Sequence, residues 1–179
     1  MPRYAAFLRG INLGKRRVTG DGLRSCLEEL GFEDVATFRA SGNVIFSIAG
    51  RESPAKVTAR VEQGLADALG YEVPTFLRTG AEVRAIAAHA PFPAKLVAAS
   101  KGKLQIVLLP AKPAAAARKQ ALALATDEDR LAIDGRELYW LPNGGISDSS
   151  LDLKAIEKLL GAGTIRTKAT IDQIAEKYF

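Results

Sequence analysis

The chain has 179 residues, of which 47% are hydrophobic and 25% charged, enough apolar material to bury a substantial core and too much for a disordered polymer. Lys and Arg total 25 against 20 Asp and Glu, a net charge of +5. The excess is spread evenly, 12 basic and 10 acidic groups in residues 1–90 and 13 and 10 in 91–179, which excludes a dedicated nucleic-acid tail. One cysteine, Cys26, and one histidine, His89, exclude an intrachain disulfide and a Cys/His metal cluster. No stretch approaches the roughly 18 apolar residues of a membrane span. Met1-Pro2-Arg3-Tyr4 runs into a strand without the apolar core of a secretory leader, so a cytoplasmic location with no membrane partner is expected.

In chain order, Tyr4 to Leu8 reads as a buried strand, followed by the corner Arg9-Gly10-Ile11-Asn12-Leu13-Gly14 and a basic loop, Lys15-Arg16-Arg17. Thr19 and Asp21 are caps for a helix whose inward face is Leu23, Cys26, Leu27 and Leu30, at spacings of three and four. That periodicity places Cys26 in the core, with Gly31 as the stop. Val35 to Phe38 and Asn43 to Ile48 are strands around a second polar corner, Arg39-Ala40-Ser41-Gly42. Ser53 caps and Pro54 opens the next helix, lined by Val57, Val61, Leu65 and Leu69 and ended by Gly70. Val73 to Leu77 completes a βαββαβ pattern.

The second half repeats the theme. Thr79 with Glu82 forms a capping box for a helix carrying Val83 and Ile86, with His89 at its end. Lys95 to Ala99 is read as a strand, as is Leu104 to Leu109; Ala114 to Leu124 is an alanine-rich helix. Leu131 to Ile133 and Glu137 to Leu141 form a hairpin around Asp134-Gly135, a type I′ turn signal. Ser149 with Asp152 is the cap of a helix bearing Leu153, Ile156 and Leu160, and Thr170 with Gln173 opens the last helix. The expected class is α+β: two halves, 1–78 and 79–179, each an antiparallel sheet with helices packed on it, in one continuous globule.

The segments Leu8 to Gly14 and Ser41-Gly42-Asn43, with Tyr139 to Gly145, Ser149 and Gly163-Thr164-Ile165-Arg166, resemble an uncharacterised bacterial family, the domain of unknown function numbered 1697. The resemblance implies two ferredoxin-like halves in tandem and brings no established activity. Many members carry lysine where this chain has Ser150, and asparagine and tryptophan where it has Thr167 and Lys168.

The candidate site gathers at the two corners. Arg9, Gly10, Asn12, Lys15, Ser41, Gly42 and Asn43 combine an arginine fork, amides and glycines that let backbone approach a ligand, which suits a phosphate or carboxylate. Ser149 and Arg166 are secondary candidates. The rival reading gives the asparagines to turns and Arg9 to an ion pair. The spacing is neither that of a nucleotide-hydrolase phosphate loop nor that of a dinucleotide fingerprint. Asp127-Glu128-Asp129 reads as a solvated loop, not a cation site. No general base has an identifiable address, so no reaction, metal or cofactor is assigned. The expected function is binding of an anionic small molecule or nucleotide. The alternative is weak nucleic-acid binding through Lys15-Arg16-Arg17, and nothing sets an oligomeric state.

Overall fold

The structure, a computed structural model, describes residues 1–39 and 42–179. The chain divides into two units, residues 1–84 with 174–179 and residues 85–173.

The first unit runs β1 (Arg3–Leu8), α1 (Gly20–Glu29), β2 (Glu33–Thr37), β3 (Asn43–Ser47), α2 (Pro54–Leu69) and β4 (Thr75–Thr79). Its four strands are antiparallel in the order β2-β3-β1-β4, with Phe7 opposite Asn43 and Leu8 opposite Thr75. Alternation along β1 sends Tyr4, Ala6 and Leu8 into a core shared with Phe46, Leu77, and Leu27, Val57, Val61 and Leu65 of the helices. Each of these larger side chains contributes about 1.5–3 kcal/mol by leaving water. Ala5, Phe7, Ile45 and Phe76 on the opposite face are buried as well. The helix ends follow their caps: Thr19 Oγ1 accepts from Gly22 N, Ser53 Oγ from Lys56 N, and Gly70 closes α2 at φ +77°.

α3 (Gly80–Ala88) begins in the first unit and ends in the second, after its capping box of Thr79 and Glu82. The second unit continues with α4 (Ala94–Ala99), β5 (Gln105–Leu108), α5 (Ala115–Leu122), β6 (Asp129–Asp134), β7 (Glu137–Pro142), α6 (Leu153–Leu160), β8 (Thr164–Thr167) and most of α7 (Lys168–Tyr178). Its sheet, β6-β7-β5-β8, is antiparallel and repeats the connection order of the first. Val107, Leu109, Ile133, Leu138, Trp140, Ile156 and Leu160 form its core. The α+β class with two antiparallel sheets and packed helices is therefore as expected.

Several local expectations are corrected. Lys95 to Ala99 is helical, within α4: Pro93 O accepts from Leu96 N and Val97 N, and local bonding outweighs the apolar run. The β6–β7 turn is centred on Gly135 and Arg136, with Asp134 paired to Glu137; of the two only Gly135 takes positive φ (+56°), which fits type II′ rather than I′. Asp152 alone caps α6, accepting from Ala155 N at 2.9 Å. The last helix starts at Lys168, because Thr167 Oγ1 accepts from Thr170 N. Cys26 is half-buried at the edge of the first core. Among the described residues no helix is long and apolar enough to cross a membrane.

Candidate functional site

β1 ends, β3 begins and β4 begins at the same end of the first sheet, so three connections meet there: residues 9–19, 38–42 and 70–74. Backbone bonds tie them together. Leu8 N donates to Gly42 O at 2.8 Å and Arg9 N to Pro74 O at 2.9 Å. Tyr71 Oη donates to Ile11 O at 2.9 Å. Gly42 is required where it stands: its φ is +74°, and a Cβ would lie 3.0 Å from Ile11 Cγ2 and 3.1 Å from Leu8 Cβ. The two polar corners are thus packed directly on one another.

The asparagines hold the corners in shape. Asn12 Oδ1 accepts from Val18 N at 2.8 Å, and its Nδ2 donates to Val18 O at 3.4 Å, closing the basic loop at its neck. Asn43 is buried; its Nδ2 donates to Phe38 O, and Phe38 N donates to Asn43 O, both at 2.9 Å. These contacts are those of the rival, turn-holding reading of the asparagines. Gly10 takes φ +72°. Ser41, with its neighbour Ala40, lies outside the described residues.

Around this frame stand the cations. Arg9 is half-buried; Lys15, Arg16, Arg17 and Arg39 are exposed. Arg16 lies over the Tyr71 ring, with its guanidinium carbon 4.0 Å from the centroid. Arg17 folds back onto its own loop, donating to Gly14 O at 2.9 Å and Arg16 O at 2.7 Å. Arg39 holds the left-handed backbone region at φ +59°, uncommon for a residue with a Cβ. Neither Tyr71 nor Arg39 is a candidate from the sequence. Tyr71 follows the Gly70 helix stop, but its partners Ile11 and Arg16 lie far off in the chain, so no local signal marks it. A nearby cleft of about 410 Å³ is lined by Glu62, Glu72, Val73 and Pro74 among others; its two carboxylates disfavour an anion. Glu62 Oε1 accepts from Thr75 N at 2.8 Å.

Ser149 and Arg166 belong to the second unit and to different surroundings. Ser149 Oγ donates to Asp129 Oδ1 at 2.8 Å and accepts from Leu151 N at 3.0 Å. Asp129 Oδ1 also accepts from Trp140 Nε1 at 2.7 Å, and Asp129 Oδ2 from Thr126 Oγ1 at 3.1 Å. Asp129 is therefore a buried acceptor at the start of β6, which corrects the reading of Asp127 to Asp129 as wholly solvated. The missed signal was Trp140, whose indole N–H needs an acceptor once the ring is buried. Arg166 is buried on β8, donating to Thr164 Oγ1 and Ile165 O, both at 2.8 Å. Burial pushes its guanidinium down to about 10, still protonated at neutral pH. His89 lies 4.0 Å from Asp134 Oδ2 and packs on the Tyr139 ring. Among the described residues no group of three His, Cys, Asp or Glu gathers to hold a metal.

A family model described as "Protein of unknown function (DUF1697)" matches residues 1–139, which takes in the whole basic corner and stops ahead of Ser149 and Arg166. The chain is also similar to the solved structure of the conserved bacterial protein SP0830 from Streptococcus pneumoniae, with a TM-score of 0.74 and 23% identity over 98% of this chain and 97% of that one. At that identity the likeness carries the fold alone. No curated protein matches the chain.

Proposed function

The chain belongs to the DUF1697 family of proteins of unknown function, and we propose that it binds an anionic small molecule or nucleotide at the loop-bearing end of its first sheet. The observation that carries this reading is the joining of three connections by the Leu8–Gly42, Arg9–Pro74 and Tyr71–Ile11 bonds, which sets Arg9, Lys15, Arg16 and Arg39 on one end of one sheet. Basic side chains gathered at one end of a sheet raise the local potential for an anion. We further read the two units as ferredoxin-like halves in tandem, supported by their shared strand order, and the protein as cytoplasmic.

A thermal-shift screen against nucleotides, sugar phosphates and short oligonucleotides tests the reading. A ligand that raises the melting temperature of the wild type should lose that effect in Arg9→Ala while the variant stays folded. An Arg9→Ala chain that fails to fold makes Arg9 structural and removes the main support.

The exposed loop Lys15-Arg16-Arg17 favours a second reading, weak nucleic-acid binding through phosphates. The strand aromatics Phe46, Phe76, Tyr139 and Trp140 are buried, so base stacking on a sheet surface has no platform among them. Under this reading, replacing the three loop cations with glutamine flattens the salt dependence by roughly 2–3 log–log units.

A further inference from the structure

Arg3, Arg16, Arg39 and Arg60 of the first unit lie near aromatic rings, and they divide by geometry. Arg3 and Arg39 stand off at 5.8 and 5.5 Å from the Tyr178 and Phe38 centroids. Arg60 lies at 4.1 Å on Phe32, a core ring, and is held by Glu52 at 2.8 Å, which makes it a strut of the fold. Arg16 is as close, at 4.0 Å on Tyr71, yet it is exposed. Its position is built rather than incidental. Tyr71 is fixed by the bond from its hydroxyl to Ile11 O, Arg16 N donates to Leu13 O at 3.0 Å, and Asn12 clamps the loop at Val18.

A guanidinium carbon 4.0 Å from a ring centroid is within stacking distance, and a stacked guanidinium uses one of its two faces. The other, weakly hydrated and planar, is a platform for a second flat ring. Lys15 and Arg17 flank this platform in the chain, and the guanidinium of Arg17 is pinned by its two carbonyl contacts. We propose that the loop of residues 12–18 takes a nucleoside phosphate, with the base stacked on the outer face of Arg16 and the phosphate answered by Lys15 and Arg17. This deepens the anion-binding reading and rests on it. A bare phosphate or sugar phosphate meets the charges but leaves the platform empty.

The test uses the full chain and isothermal titration with AMP, GMP, UMP, ribose 5-phosphate and inorganic phosphate. The nucleotides should bind about tenfold more tightly than ribose 5-phosphate, purines ahead of the pyrimidine, as the low end of base stacking on a side chain allows. Arg16→Lys keeps the charge and removes the plane. It should bring AMP down to the ribose 5-phosphate level while leaving ribose 5-phosphate unchanged. If AMP and ribose 5-phosphate bind alike, and Arg16→Lys weakens neither or both equally, the stacking proposal is overturned and the anion site stands. If none of the five binds at millimolar concentration, both fall. Binding of only a single-stranded oligonucleotide, with a steep salt slope, overturns the mononucleotide and supports the phosphate-contact reading instead.

Discussion

The two units use the same strand order and elaborate opposite ends of it. At the end where β1 and β5 finish, the first unit carries connections 9–19, 38–42 and 70–74, and the second only 109–114, 135–136 and 161–163. At the other end the relation reverses: 30–32 and 48–53 in the first unit stand against 123–128 and 143–152 in the second. The long connections differ in chemistry too. Those of the first unit present Lys15, Arg16, Arg17 and Arg39 to solvent, whereas those of the second close on the buried Asp129, with Thr126, Trp140 and Ser149 as donors. A polar group that is buried and answered by its own unit is committed to the fold; cations exposed on a tightly tied frame stand where a ligand can meet them. The second unit thus serves as an internal control for what the same topology needs merely to stand.

The largest effect should come from breaking the closed cluster. Asp129→Ala leaves the buried Trp140 indole without its acceptor, at roughly 1–3 kcal/mol, and also removes the bonds from the more exposed Ser149 and Thr126 hydroxyls. A loss of about 3 kcal/mol in urea unfolding is expected, with anion binding at the first unit unchanged wherever the chain is folded. If Asp129→Ala unfolds at the wild-type urea concentration, the cluster is not holding the second unit, and the contrast between the two ends fails. A smaller loss should follow from Gly42→Ala. The added Cβ meets Ile11 and Leu8 and the φ of +74° strains it, so about 2 kcal/mol is expected from overpacking and backbone strain together. Unlike Asp129→Ala, this variant should also weaken the anion site, because it pushes apart the corners that set Arg9 beside the basic loop. Gly42→Ala with full ligand affinity would show that the packing of the corners is irrelevant to binding.

How far these features were legible follows from their range in the chain. Helices α1, α2 and α3 announce themselves through Thr19, Ser53-Pro54 and Thr79 with Glu82, because capping is decided within a few residues. The meeting of the two polar corners was legible as well, since a βαββαβ order brings the end of β1 to the start of β3. What escaped depends on distant partners. Tyr71 reaches Ile11 and Arg16 across sixty and fifty-five positions, and nothing local marks it. Asp129 looked like one acid in a run of three; only the burial of Trp140 and the return of Ser149 make it different. Lys95 to Ala99 misled because a short apolar run fits strand and helix equally, and bonds to Pro93 decided it.

The smallest effect concerns Cys26, the one thiol in the chain and a reporter placed in the first unit, on the helix that follows the basic loop. Desolvation, and secondarily the Glu29 carboxylate, push this thiol up from its ordinary value. The thiolate is the nucleophile, so iodoacetamide should modify native Cys26 more slowly than a free thiol at pH 8, with the rate still climbing above the ordinary thiol pKa of about 8.5. Glu29→Gln should shift the profile to lower pH by removing one of the two causes. The linkage has a definite sign. The unfolded chain ionises this thiol first, so its contribution to stability is whole below about pH 8.5 and declines as pH rises through the folded-state pKa. A native profile with its midpoint at or below that of the urea-unfolded chain would mean that α1 leaves Cys26 open. The first unit would then be looser beside its basic loop than the packing of Leu23 and Leu27 implies, and the rigid frame on which the anion site depends would lose its footing.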